Sequence, residues 1–168
     1  NAQSTEAYGA MRLISSLWLA AVAAQELHVL SHVPEVVQVL WLPGDGVPGR
    51  PSGELAAGVP GLPSSFMINT YAGHKFRFLV GRSSSQVVTH SGGQHDLVIL
   101  SGTSGGLHAE LLNADDLQKL VQEMYSHCNG RDGYMTCCYD FLQSQRGIPS
   151  TFADKYINAY DPQRLMPR

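Results

Sequence analysis

A short polar run between two apolar alternations holds the side chains best suited to bind a polar ligand. Residues 66–80 read FMINTYAGHKFRFLV, and Gly73 permits the positive backbone angle that a tight turn needs. We expect this turn to present a hydroxyl, a phenol and an imidazole, from Thr70, Tyr71 and His74, beside the ring of Phe76. These groups can hold a ligand by hydrogen bonds, or they can only satisfy one another within a hairpin.

The flanking segments predict a mainly β body. Two-residue alternation and turn-forming connections indicate strands over residues 27–32, 35–42, 64–70, 75–80, 86–90 and 96–100. Residues 107–112 fit either a strand or the start of a helix. The stretch 43–63 is rich in proline and glycine, which favours a long exposed loop. The spacing suggests an antiparallel β-sandwich of about seven strands over residues 25–113.

The apolar period changes from two to about 3.6 after Asn113, which predicts helices over residues 114–160. Asn113 or Asp115 can cap the first helix. Its apolar stripe comprises Leu117, Leu120, Val121, Met124, Tyr125 and Cys128. A second helix over 136–145 ends at Gly147, and residues 151–160 suggest a third, short turn. We expect a small helical appendage followed by a tail or linker, 161–168.

The first 24 residues resemble a secretory leader. From Met11 to Ala24 one arginine precedes an apolar run that ends in small residues, the grammar of a signal peptide. The alternative is an amphipathic helix packed on the domain. A leader from Met11, within an upstream segment 1–24, predicts a secreted or lumenal protein, whereas its absence would favour the cytoplasm.

The three cysteines all lie in the last third of the chain. In an oxidising compartment Cys128 can close a short loop with Cys137 or with Cys138, which leaves one thiol over. Their spacing lacks the two pairs of a typical zinc site. We therefore predict no metal.

Composition excludes several classes of function. The chain has 168 residues, 43% of them hydrophobic, and a formal net charge of -3 without a cluster of lysine or arginine, so we expect neither nucleic acid nor an anionic membrane as partner. Motifs of serine hydrolases, phosphate-binding loops and zinc proteases are absent. His95 and Asp96 are adjacent and do not form the His-x-Asp element of an iron dioxygenase. We predict no catalytic residues and no cofactor.

Two segments, taken together, resemble a known family. One strand ends in WLPGDG over residues 41–46, and INTYAGHKF follows over residues 68–76. Both motifs, in this order, are similar to the β-domain of the von Hippel-Lindau tumour suppressor family. The resemblance covers residues 27–113 and implies a β-sandwich that binds an extended peptide along a sheet edge.

The resemblance also implies roles for individual residues. Thr70 and His74 would hydrogen-bond the hydroxyl of a hydroxyproline, with Phe76 as the aromatic floor and Trp41 as the wall. Tyr71 belongs to the same surface, and Asn69 stands where the family has a histidine. The family's peptide-contacting tyrosine falls at Pro51, and Ala72 occupies the place of an arginine.

We therefore expect a module that binds an extended polypeptide, with hydroxyproline as the residue that the resemblance implies. One alternative is an accessory domain of a longer secreted prolyl hydroxylase or glycosyltransferase. The other is a substrate-recognition subunit of a ubiquitin ligase, in which Leu117, Val121 and Tyr125 would form the helical box that docks an adaptor protein. Valine stands where that box has a cysteine.

Overall fold

The computed structural model describes residues 25–59 and 62–160, and the predicted leader and tail lie outside them. Nine strands precede three helices. The strands are β1 Gln25–Ser31, β2 Val37–Leu42, β3 Arg50–Leu55, β4 Ser64–Thr70, β5 Lys75–Val80, β6 Ser83–Ser84, β7 Val88–Thr89, β8 Leu97–Thr103 and β9 Gly106–Leu112. The helices are α1 Ala114–Cys128, α2 Tyr134–Arg146 and α3 Ser150–Tyr160.

The strands form two sheets. One has four strands in the order β4-β1-β8-β9, and the other has five, in the order β3-β2-β5-β6 with β7 also paired to β5. A mainly β protein with helices at its C-terminal end is therefore confirmed. The seven-stranded, antiparallel description is wrong in two respects, because β3 and β6 are additional strands and β1 pairs with β8 in parallel.

Strand β3 lies inside the stretch expected to be a loop. It pairs only with β2, so it is an edge strand, a place where Pro51 does not have to donate to a second neighbour. The register passes from Val39–Gly53 to Leu40–Pro51, which leaves Ser52 as the extra residue of a bulge. The proline and glycine content of this stretch favoured a loop. Composition does not reveal that β2 is available as a partner strand.

The predicted strand 86–90 is reduced to the two residues of β7. Upstream of β7, Ser85 forms two hydrogen bonds with Phe78. Its backbone N–H donates to the Phe78 carbonyl at 2.9 Å, and its Oγ accepts from the Phe78 N–H at 3.1 Å. Gln86 turns away to the other sheet, where its side chain donates to the Ala109 carbonyl and accepts from the Ala109 N–H. The Gln86 side chain thus links the two sheets on one side of the body.

Both faces of the four-stranded sheet contribute residues to apolar clusters. Its inner face shares one apolar cluster with the five-stranded sheet, which includes Leu27, Val29, Phe76, Phe78, Val98 and Leu100. Its outer face shares a second cluster with the helices, through Leu30, Leu97, Ile99 and Leu112. The helices therefore form a third layer that is packed on the sheet.

The predicted helix cap, apolar stripe and C-terminal glycine are found at most of the expected positions. Asn113, rather than Asp115, caps α1, with its Oδ1 accepting from the Asp116 N–H at 3.0 Å and Asp116 accepting in return, a capping box. The apolar stripe is buried except for half-buried Tyr125. Helix α2 ends at Gly147, whose φ of 65° suits glycine. The third element is a full helix of 11 residues.

A disulfide joins the end of α1 to the start of α2. The bond links Cys128 to Cys137, which selects one of the two pairings that the sequence allowed. Cys138 is fully buried in the helical cluster instead. Because the closed loop is short, the bond limits the unfolded chain only locally.

Removal of this disulfide should destabilise the helical layer. Closing a loop of about ten residues corresponds to about 2–3 kcal/mol of unfolding free energy, so the Cys128→Ala/Cys137→Ala variant should lose about that amount in chemical denaturation. Reduced wild-type protein is the matched control and should match the variant. Equal stability of oxidised and reduced wild type would contradict the expectation.

A polar cluster fastens α3 to β1. Lys155 Nζ donates to Glu26 Oε2 at 2.9 Å and also contacts His28 Nε2, which lies 3.3 Å from the same carboxylate oxygen. Burial, together with the nearby Lys155 charge, lowers the pKa of His28 below its ordinary 6.5, and the same two causes lower the pKa of His95. Both imidazoles therefore remain neutral in the folded protein at pH values where the unfolded chain takes up protons.

The unfolding free energy should consequently decrease as the pH falls below about 6.5, since the unfolded state binds more protons in that range. Denaturation curves between pH 7.5 and pH 5 measure this slope. His28→Gln should reduce it, whereas His108→Gln, at an exposed position on β9, should leave it unchanged. Identical slopes for wild type and His28→Gln would show that His28 does not cause the pH dependence.

Candidate functional site

A cleft opens on the side of the body where the edge strands β3 and β4 lie next to each other. Its volume is about 250 Å³. The lining residues are Trp41, Pro51, Ser52, Ile68, Asn69, Thr70, His74 and Phe76. The close approach of the two strands requires Gly53, because a Cβ there would collide with the Phe66 ring. The cleft thus lies in the gap between the β3 and β4 edges, called the seam below. This gap is on the side of the body opposite the contact between Gln86 and Ala109.

The structure brings together the residues singled out by the sequence. Trp41, Asn69, Thr70, His74 and Phe76 all line this one cleft. The sixth predicted residue, Tyr71, does not line it. Instead, its ring meets the His74 ring edge-on at 5.5 Å between centroids, with 45% of the residue exposed. Tyr71 therefore stands beside the cleft.

The polar bend is a crossing between sheets and not a hairpin. Strand β4 belongs to the four-stranded sheet and β5 to the five-stranded one. The His74 N–H donates to the Tyr71 carbonyl at 3.1 Å, and Gly73 has a φ of 83°. The turn thus places Thr70 and His74 on opposite sides of the seam, facing the same space.

A hydrogen bond joins these two side chains across the bend. Thr70 Oγ1 lies 2.8 Å from His74 Nδ1, with Thr70 almost fully buried. The bond occupies Nδ1, so Nε2 is the remaining hydrogen-bonding atom of the imidazole. The centroids of the Trp41 and His74 rings lie 5.6 Å apart. The pair can therefore offer a donor or an acceptor to a ligand group enclosed by aromatic walls.

The bend is anchored by a buried polar cluster that the sequence did not reveal. The Gly73 N–H donates to the His90 carbonyl and the His90 N–H donates to the His74 carbonyl, each at 2.9 Å. His90 Nδ1 lies 2.8 Å from Asp96 Oδ2, and both side chains are fully buried. Asp96 Oδ2 also accepts from the N–H and the hydroxyl of Ser91, at 2.8 and 2.6 Å. Asp96 thereby fixes Ser91, the residue after His90, and the backbone of His90 in turn holds the bend.

Asp96→Ala should loosen this bend, because alanine removes the acceptor of both hydrogen bonds from Ser91. The amides of Gly73 and His90 should exchange with solvent about tenfold faster, as expected from weakening a hydrogen bond to a buried carboxyl group. Hydrogen exchange measured by NMR tests this. The Gly58 amide, bound to the Val33 carbonyl at 2.8 Å, is the control. Equal acceleration at Gly58 would indicate general destabilisation and contradict a local anchor.

Sequence reasoning missed the contributions of several residues. Pro51 and Ser52 reach the cleft through β3, and no local periodicity marked that strand. The pairing of His90 with Asp96 spans an irregular loop, where spacing carries no signal. Arg50 lies at the same strand's start, with its guanidinium 6.0 Å from the Trp41 ring centroid. The bulge at Ser52 is visible only through the pairing of β3 with β2.

The helical box of the ligase alternative is not on the surface. Leu117 and Val121 are fully buried in the cluster between α1 and the four-stranded sheet. Tyr125 is half-buried. Since these side chains already pack within the chain, the structure lends this alternative no support.

No family model matches the chain, and no curated protein matches it significantly. Within residues 25–59 and 62–160, no helix is long and apolar enough to cross a membrane. A function for this chain is therefore argued from its fold and its cleft.

Proposed function

We propose that this chain is a peptide-binding module that receives an extended polypeptide along β4, with one side chain of that polypeptide in the cleft. The single observation that carries the proposal is that β4 is an unprotected edge strand bordering the cleft. Main-chain hydrogen bonds to such an edge supply affinity, and the cleft selects the side chain.

Strand β4 lacks the usual protections of a sheet edge. Among the described residues it pairs only with β1, in a continuous register from Ser64 to Thr70. Its sequence, SSFMINT, contains no charge and no proline. By contrast, β3, the neighbouring edge, carries Arg50, Pro51 and Glu54 and has a bulge. Proteins blunt edges with such features because an open edge pairs with other chains.

The open side of β4 can be inferred from the bonds of β1. The N–H groups of His28 and His32 donate to β8 or to the residue preceding it, at the Asp96 and Leu100 carbonyls. Backbone groups of successive strand residues point to alternate sides, so the odd-numbered residues of β1 face β4. Their partners are Ser64, Phe66, Ile68 and Thr70. Ser65, Met67 and Asn69 therefore direct their N–H and C=O groups towards the open edge.

Exposed apolar side chains concentrate in the part of the sequence that contains β4. Large exposed hydrophobic residues of the described chain are Val36, Val47, Val59, Leu62, Met67, Tyr71 and Val87. More than half of them lie between Val59 and Tyr71, the segment that contains β4. An incoming peptide would remove this apolar surface from water, which favours association.

The cleft suits a ring that carries a hydroxyl. Trp41, Phe76 and Pro51 supply flat apolar surfaces, and the Thr70–His74 pair supplies polar atoms. A hydroxyproline would match both features, as the resemblance to the von Hippel-Lindau β-domain implies. Unmodified proline would bind more weakly because it leaves the Thr70–His74 pair without a hydrogen-bond partner, which costs about 1–3 kcal/mol of binding free energy.

We infer further that the protein matures in the secretory pathway. The disulfide between Cys128 and Cys137 supports this location because such bonds persist in oxidising compartments. The leader-like segment 11–24 supports it independently.

Binding of two extended peptides that differ only in a central proline or 4-hydroxyproline tests the function. Calorimetry should show about tenfold tighter binding of the hydroxylated peptide, and Thr70→Val or His74→Ala should reduce this preference, since each removes one polar group. Thr103→Val, at an exposed position on β8, should behave as wild type.

The possible outcomes separate two levels of the proposal. Equal affinity for both peptides would remove hydroxyproline and retain strand addition. If neither peptide binds, and a randomised library of extended peptides yields no binder either, the proposed function is overturned.

A further inference from the structure

We propose that the outer side of β4 is a second subsite, a shelf formed by Met67, Phe152 and His28, which takes uncharged apolar side chains from the residues on either side of the one in the cleft. This inference rests on the proposed function and specifies the sequence of the peptide. A ligand would then follow the pattern apolar, ring, apolar.

The alternation of a β-strand requires two binding surfaces. On β4, Phe66, Ile68 and Thr70 face the interior, whereas Ser65 and Met67 face the opposite side. A strand that pairs with β4 has the same alternation. When one of its side chains enters the cleft, its two neighbours must therefore lie over the outer side.

Within the described residues the outer side of β4 is exposed, and Met67 is its large apolar side chain. Met67 is 51% exposed, whereas Leu30, Leu97, Ile99 and Leu112 on the outer side of the other strands are buried under the helices. Its cross-strand partner is His28. The His28 ring meets the Phe152 ring of α3 edge-on, with centroids 5.8 Å apart. The helical layer thus ends at β1, and its border together with Met67 forms a shelf along the edge strand.

The charges beside the shelf compensate one another. Lys155 and Glu26 form an ion pair at 2.9 Å, and His28 is neutral near pH 7 because burial lowers its pKa. Neither an acidic nor a basic side chain would gain a free counter-charge there. An uncharged apolar side chain complements such a surface, and the flexible methionine adapts to different shapes.

An independent polypeptide fits this surface better than a second copy of β4. A copy paired along the same edge would present Phe66 or Ile68 to the cleft. These apolar side chains would leave the Thr70–His74 pair without a polar contact. The occupant to which the shelf is assigned is therefore an uncharged stretch of another protein.

A peptide library with a fixed central 4-hydroxyproline and randomised neighbours tests the shelf on the full chain. Wild-type protein should enrich apolar residues at the two positions next to the centre. Met67→Ser should abolish that enrichment and weaken the best wild-type peptide about fivefold, as expected for the lost apolar contact. Ser65→Ala, on the same side of β4, is the matched control and should keep the enrichment.

The results distinguish the shelf from the function on which it depends. Binding without any preference beside the centre, or an unchanged preference in Met67→Ser, would overturn the shelf and leave the cleft intact. Absence of all binding would overturn the proposed function itself. Dimerisation that Met67→Lys abolishes, or displacement of the selected peptide by a synthetic peptide of residues 11–24, would assign the shelf to this chain and also overturn the inference.

Discussion

The passage of the chain from one sheet to the other at residues 71–74 is the constraint on which the rest of the structure depends. A hairpin at this point would have paired β4 with β5 and closed the seam. Instead, β4 pairs with β1, and β5 lies between β2 and β6. Strand β4 therefore remains an edge strand, next to β3 at the edge of the other sheet. The bend keeps this course because the His90 backbone binds it at two points and the buried Asp96 accepts two hydrogen bonds from the adjacent Ser91. The buried carboxyl group therefore acts on the cleft without lining it.

The helical layer explains why the four-stranded sheet tolerates such an edge. Burial of both faces of β1 and β8 makes the interior of the sheet insensitive to what happens at β4. The disulfide and the Lys155–Glu26 contact fix the helices at opposite ends, one between α1 and α2 and the other between α3 and β1. A binding edge can thus remain apolar and uncharged while the fold is stabilised elsewhere.

The two open edges of the body have different character. Strand β3 carries charge, proline and a bulge, which are features that prevent pairing, and it contributes Pro51 and Ser52 to the cleft as a wall. Strand β4 carries none of these features and contributes main-chain groups. Under the proposed function, this asymmetry would leave a peptide one strand, β4, with which to pair. It also explains why the cleft and the shelf lie on opposite sides of the same strand.

The sequence alone determined the local elements: the alternations of β1, β2, β4 and β5, the glycine bend, the Asn113 cap and the apolar stripe of α1. Each of these depends on neighbours within a few residues, and so it leaves a periodic or positional signal. It also identified Trp41, Thr70 and His74 as candidate neighbours, through the resemblance of two motifs. Only the tertiary structure decided that β4 and β5 belong to different sheets, that β3 is a strand, that Cys128 pairs with Cys137, and that Asp96 supports the bend. These features depend on which distant segments pack together, and pairing across a sheet or through a loop has no counterpart in local spacing.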